Sequence, residues 1–330
     1  MAHLITNEKD FAYAKGIKPW HGLGVELPSR MTVREALVAA NLDFEVEKRQ
    51  SHFLNREGIL VPAEDCFVTV RTDTEQALGH VGPGYTPVQN AAALDFFDPA
   101  IGEGAAAIET AGSLKGGSTV FLQAAIPDTF EAMPGDPLER KILFSTSHDG
   151  TSGVRALFTA IQGVCWNTFS AAFAGCRNIV SIRHTRNAEQ AIRTAHAILH
   201  AEQSYWDRAK RVIRWMTLKD LKHQDVVETL AKLFPGSLNP ETGEIETSTR
   251  TDNARLEVCN LYLGKGKGAD VRGRTAWGLH SAVTDYQSNG RSVRTTTNRW
   301  AAVTMGSGND LAQTAMDLLT ADIPAAVLQA

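Results

Sequence analysis

The chain has no run approaching the roughly 18–20 apolar residues that a membrane helix needs. Its first ten residues, Met-Ala-His-Leu-Ile-Thr-Asn-Glu-Lys-Asp, carry neither the basic leader nor the apolar core of a secretory signal. These absences predict a cytoplasmic protein with no membrane partner. Cysteine is scarce: Cys66, Cys165, Cys176 and Cys259 lie far apart and form no Cys-x-x-Cys pair. A zinc ribbon and a dithiol redox motif are thereby disfavoured, and buried thiols in a reducing compartment are expected. No Gly-x-Gly-x-x-Gly or Gly-x-x-x-x-Gly-Lys pattern opens a helix, which counts against nucleotide hydrolysis. No His-Glu-x-x-His occurs either. The closest histidines at helical spacing, His196 and His200, stand in His-Ala-Ile-Leu-His and read as a surface pair. No cofactor or metal is expected.

The rest of the composition is that of a folded protein. Hydrophobic residues make up 43% and charged residues 21% of 330, enough for one large domain or two modest ones. The net charge of −4 hides an asymmetry. Residues 1–176 carry 13 Lys/Arg and 21 Asp/Glu, residues 177–299 carry 20 and 13, and residues 300–330 carry none and three. A phosphate backbone would meet the middle segment, unless that charge is only the solvated face of long helices.

Periodicity divides the chain into elements. Residues 1–30 look irregular. Thr32 with Glu35 forms a capping box that opens a helix ending near Asn41. Strands are predicted from Phe44 to Arg49, from Cys66 to Arg71 and from Ala77 to Gly82, then a helix at 89–97. Further strands follow at 106–111, 119–125, 141–147 and 154–161. Successive strands without intervening helices predict an α+β fold: a mixed antiparallel sheet with a β-β-β-α core, then a helical C-terminal region. From Ala188 to Met216 apolar residues recur every three or four positions, a stripe about eight turns long. Helices are expected at 219–234, 253–263, 275–287 and 310–319. The boundaries read as 1–176 (α+β), 177–235 (helical), 236–252 (loop or linker) and 253–330 (helical and basic).

Two constellations invite a catalytic reading. Ser147-His148-Asp149-Gly150 precedes Cys165 and could supply a base and a nucleophile, but Asp-Gly between two strands also makes an ordinary turn. Trp20-His21 beside flexible glycines reads as a lid, a subunit contact or a buried anchor. The basic clusters carry more weight. Arg177, Arg183, His184 and Arg186 surround a strand predicted at 179–182. Lys265, Lys267, Arg272 and Arg274 lie on a Gly-rich segment, and glycine lets backbone N–H groups follow phosphates closely. Arg291, Arg294, Arg299 and Trp300 follow among Ser, Thr and Asn. Cations, hydroxyls and an occasional aromatic suit a sequence-tolerant single-strand groove; a solvated loop is the plainer alternative.

Five stretches carry a resemblance: Lys18-Pro-Trp-His-Gly-Leu-Gly24, Gly84-Tyr-Thr-Pro-Val-Gln-Asn90, Glu109-Thr-Ala-Gly-Ser-Leu-Lys-Gly-Gly117, Ser147-His-Asp-Gly150 and Trp277-Gly-Leu-His-Ser-Ala-Val-Thr-Asp-Tyr286. Together they resemble the phage/plasmid-like family defined by domain of unknown function 932, over residues from about 10 to 310. That resemblance implies a mobile-element origin and a host bacterial cytoplasm, and it carries no activity over. The order helix, three antiparallel strands, helix between Thr32 and Phe97 is also similar to the core of phage single-strand-annealing proteins of the Redβ, RecT and Erf kind. This second resemblance implies a ring or filament that holds single-stranded DNA by its backbone.

The expected function is therefore single-stranded DNA binding and annealing by a homo-oligomer without ATP, and not an enzymatic one. Arg183, Arg186, Lys265, Lys267, Arg272 and Arg274 are the expected backbone contacts, with Tyr286 and Trp300 stacking on bases. The alternative is a phage protein-interaction module that docks a host complex through the helix at 188–216. A hydrolase using His148 or Cys165 is a third reading.

Overall fold

The computed structural model describes residues 7–16, 24–28, 31–94, 106–162, 167–169, 179–188, 196–240, 242–290 and 307–329. Trp20, His21, Cys165, Cys176, Arg177, Arg291, Arg294, Arg299 and Trp300 lie outside them, as do parts of the helices expected at 89–97 and 188–216.

The stretch expected to be irregular contains β1 (Phe11–Ala14) and β2 (Val25–Leu27), a parallel pair. Helix α1 (Val33–Ala39) starts where the capping box places it: Thr32 accepts from Glu35 N at 3.2 Å while Glu35 accepts from Thr32 N at 2.8 Å. Two orphan amides are satisfied, and Val33, Ala36 and Leu37 turn inward. Strands β3 (Val46–Leu54), β4 (Leu60–Arg71) and β5 (Gln76–Val81) form an antiparallel three-stranded sheet, followed by α2 (Asn90–Leu94). β3 and β4 run beyond the edge of β5, which pairs only with residues 67–71 of β4, so the outer half of their hairpin is a two-stranded arm.

A second sheet is built from β6 (Ala107–Leu114), β7 (Thr119–Glu131), β8 (Pro137–Ser147), β9 (Val154–Gln162), β10 (Asn167–Phe169) and β11 (Ile179–Ile182), with β1 and β2 added at its far edge. The order is β10-β9-β8-β7-β6-β1-β2, and β11 pairs with residues 154–157 of β9. All of its neighbours are antiparallel except β1 and β2. The fold is the expected α+β class.

Helices cover one face. α3 (His196–Leu218) buries Tyr205, Trp206, Ala209, Val212, Ile213 and Met216. Tyr205 stacks on Phe158 of β9 at 5.6 Å, and the Arg140 guanidinium of β8 stands 5.8 Å from the Trp206 ring. From Tyr205 to Met216 the apolar stripe is thus buried against the chain's own core, so this part of it is not an exposed docking face. α4 (His223–Leu233) leads to a small hairpin, β12 (Ser237–Leu238) with β13 (Ile245–Glu246). α5 (Thr249–Asn260) begins four residues ahead of the expected position, because Ser248 caps it by accepting from Thr251 N at 3.2 Å. It runs into a π-helical turn, Leu261–Lys265, then the one-turn helix α6 (Ala269–Arg272). The glycine-rich segment is therefore a wound structure rather than an adaptable loop. Every residue of α7 (Ala276–Asp285) is buried, and a second π turn, Tyr286–Gly290, extends it. α8 (Ser307–Leu319) packs on α7, and α9 (Ala325–Gln329) on α3. One hydrophobic cluster runs from Ala12 to Leu319 and joins sheet and helices.

Candidate functional site

Strand β8 organises the polar chemistry, because a different cluster sits at each of its ends. Asp136 immediately precedes it and is 1% exposed. Its carboxylate accepts from Arg272 Nε at 2.9 Å, Arg272 Nη2 at 2.6 Å and Trp277 Nε1 at 2.8 Å. Arg272 Nη1 donates to Lys267 O at 2.8 Å. The guanidinium, 3% exposed, is committed to this bidentate pair. Arg272 is thereby removed from the cations that a nucleic acid could meet, contrary to expectation. The reason is that a short helix at this point turns it inward, onto the β7–β8 turn.

His148 follows β8 at the other end. It is the turn residue expected between two strands, but its ring is fully buried between the two sheets. Its Nε2 lies 2.8 Å from Asn90 Oδ1, and its carbonyl accepts from Thr69 Oγ1 of β4 at 2.6 Å. A second imidazole, His184, stands 6.4 Å away, ring to ring, with its Nε2 3.0 Å from Thr146 Oγ1. Tyr85 stacks on His184 at 4.9 Å and donates its hydroxyl to Ser147 O at 3.1 Å. Thr86 N donates to His184 O at 3.2 Å. Burial pushes His148 down to about 3, helped by His184 and opposed by Asp149, and pushes His184 down to about 4. Both rings are neutral at pH 7. Each keeps an Nδ1 that is buried without a hydrogen-bond partner. Among the described residues no three His, Cys, Asp or Glu side chains gather as a metal site would need.

Sequence reasoning identified the turn at His148 but missed its partners. Tyr85, Asn90 and His184 lie roughly 35 to 65 positions away along the chain, at no spacing that marks contact. A signal was available: the stretches at 84–90 and 147–150 both belong to the resemblance, and they meet here.

The remaining expected contacts are exposed but divided. Arg183 and Arg186 flank His184 on the turn after β11, beside the three-stranded sheet. Arg155, half-buried on β9 with its Nε buried, lies across from Ser181. Lys265, Lys267 and Arg274 are exposed around Arg272, at the Asp136 end. Eleven residues of β8 separate the two groups, roughly 35 Å at about 3.3 Å per residue. Tyr286 is half-buried and meets Phe234 edge-on at 5.8 Å, so its ring is part of the helical packing. Trp300 is outside the described residues.

No helix among the described residues is long and apolar enough to cross a membrane. No curated protein and no solved structure matches the chain. The family model for a domain of unknown function (DUF932) matches residues 77–304, more than half of the chain. That span takes in both ends of β8, the His148–His184 junction and the Asp136–Arg272–Trp277 cluster, and leaves out the stretch at 18–24. The chain belongs to the family defined by domain of unknown function DUF932.

Proposed function

We propose that the protein binds single-stranded DNA and pairs complementary strands as a homo-oligomer, without ATP or metal, in the recombination of a phage or plasmid. The observation that carries this reading is the docking of a basic turn onto an acidic unit. Arg183 and Arg186 belong to the basic part of the chain. His184 between them holds that turn against residues 85 and 86, which follow β5. The three-stranded sheet with its flanking helices α1 and α2, whose residues 31–94 carry five Lys/Arg against nine Asp/Glu, thereby acquires two further cations. The two arginines, both exposed, make the core of the proposed groove. Arg274 lies about one strand length away, at a distance that a bound strand several nucleotides long could span.

The test is fluorescence anisotropy of a labelled single-stranded oligonucleotide at two salt concentrations. Binding is expected to weaken several-fold with salt. The Arg183→Ala/Arg186→Ala variant is expected to lose affinity on every sequence, with the salt slope falling by about 0.7 per cation removed. A variant that binds as the parent does would remove this groove, and absence of binding at low salt would overturn the function.

A further inference from the structure

The β3–β4 arm presents the largest group of uncovered apolar side chains at one place in the described residues. Phe53, Leu54, Ile59 and Leu60 are 53%, 67%, 59% and 63% exposed. Leu54 pairs with Leu60 and Phe53 with Val61, so both faces of the ribbon are apolar at its tip. The tip is nonetheless built. Asn55 Oδ1 accepts from Glu57 N at 3.0 Å and Ile59 N at 2.8 Å, and Asn55 Nδ2 donates to Glu57 Oε2 at 2.8 Å. A two-stranded ribbon gains little stability from itself, and an apolar tip held in one shape is suited to insertion into a partner.

Charge selects the partner. Along the outer arm, residues 51–65, stand Glu57, Glu64 and Asp65 against Arg56. An acidic collar repels phosphate, whether on a nucleic acid or on an anionic lipid surface, and favours a surface that is apolar and cationic. This chain exposes one. Leu256 on α5 and Leu263 on the π turn that continues it are 61% and 59% exposed, and exposed Lys265 and Lys267 follow. With Arg272 buried against Asp136, residues 250–274 still carry five other Lys/Arg against three Asp/Glu.

We infer that the arm of one copy docks on the Leu256–Leu263–Lys265–Lys267 strip of another copy. The contact joins two different patches, so it closes either as a reciprocal pair, each arm on the other copy's strip, or by repetition as a ring or an open filament. This names the interface of the assembly proposed above and rests on that part of the reading, but not on DNA binding.

The experiment is sedimentation velocity of the full chain without nucleic acid. The parent is expected to self-associate. Leu54→Asp/Leu60→Asp, at exposed positions that leave the thermal transition in place, is expected to raise the dissociation constant roughly ten-fold or more. Glu64→Lys/Asp65→Lys and Lys265→Glu/Lys267→Glu should each weaken association, and mixing these two variants should restore it. A monomeric parent, or arm variants that assemble like the parent, would overturn the inference. So would charge reversals that fail to rescue each other, or a monomeric parent that floats with phosphatidylglycerol vesicles. Dissociation by the arm variants in a protein that binds no oligonucleotide would sink the DNA reading and leave this interface standing.

Discussion

Asp136 and Arg272 show how one residue pair can override a surface pattern. In the sequence Arg272 is one of four cations spaced through glycines. In the fold its guanidinium is buried, and its charge is matched by a carboxylate that also holds Trp277. Removing one partner strands the other charge in a medium that solvates it poorly. Asp136→Ala is therefore expected to cost about 3–5 kcal/mol, read as a fall in the denaturant midpoint at unchanged m-value. A loss under about 1 kcal/mol would mean that Arg272 reaches water by another path. Lys265 and Lys267, exposed a few residues away, should tolerate alanine with little change in the stability of the subunit.

Elements are joined through polar side chains as much as through apolar ones. The three-stranded sheet meets the large sheet where Thr69 bonds the His148 carbonyl and where Gly79 lies against Asp149. A Cβ on Gly79 would come within 2.4 Å of the Asp149 backbone. The imidazoles at this junction give it a pH dependence. Their folded pKa values of about 3 and 4 lie below the ordinary 6.5 of an unfolded histidine. His280, buried in α7, is likewise held at about 4 by burial. Between about pH 6.5 and those values the unfolded chain binds more protons, so stability rises with pH in that window. It is complete above 6.5 and is lost progressively as pH falls through it. The thermal midpoint is expected to fall between pH 7.5 and 5, before most carboxylates titrate, and to fall less in His148→Gln or His184→Gln. A midpoint flat across that range would show that these rings are protonated without cost.

The elements themselves were largely legible. The capping box placed the start of α1 to the residue, and residue pattern located each of β3 to β9, but it missed the outer arm, since β3 runs five residues past its expected end and β4 begins six before its expected start. β1 was not legible: four residues, Phe11 to Ala14, show too little pattern, and their place between β6 and β2 is set by pairing with a strand about a hundred positions away. The π turns were equally hidden, since glycine-rich sequence is compatible with loop and with wound backbone alike.

At the scale of the whole molecule, the apolar cluster from Ala12 to Leu319 makes the sheet and the helices one cooperative body. A single unfolding transition is expected, with far-ultraviolet circular dichroism and tryptophan fluorescence coinciding. Two separated midpoints would divide the chain into independent units. The long helix is central to this. Its stripe was readable as amphipathic from spacing alone, but spacing does not say whether such a face covers the chain's own core or a partner, and from Tyr205 to Met216 it covers the core.

The sequence by itself determined the α+β class, most element positions, the family, and the concentration of positive charge in the middle of the chain. These follow from local periodicity, capping chemistry, ordered motifs and composition, all carried by neighbours along the chain. Only the tertiary structure decided which cations are exposed and which are neutralised inside. It also decided that two groups of cations lie at opposite ends of β8, and that His148 finds Asn90 and His184. Those facts depend on distances between residues tens of positions apart, and such distances arise only when the sheets close on a common core.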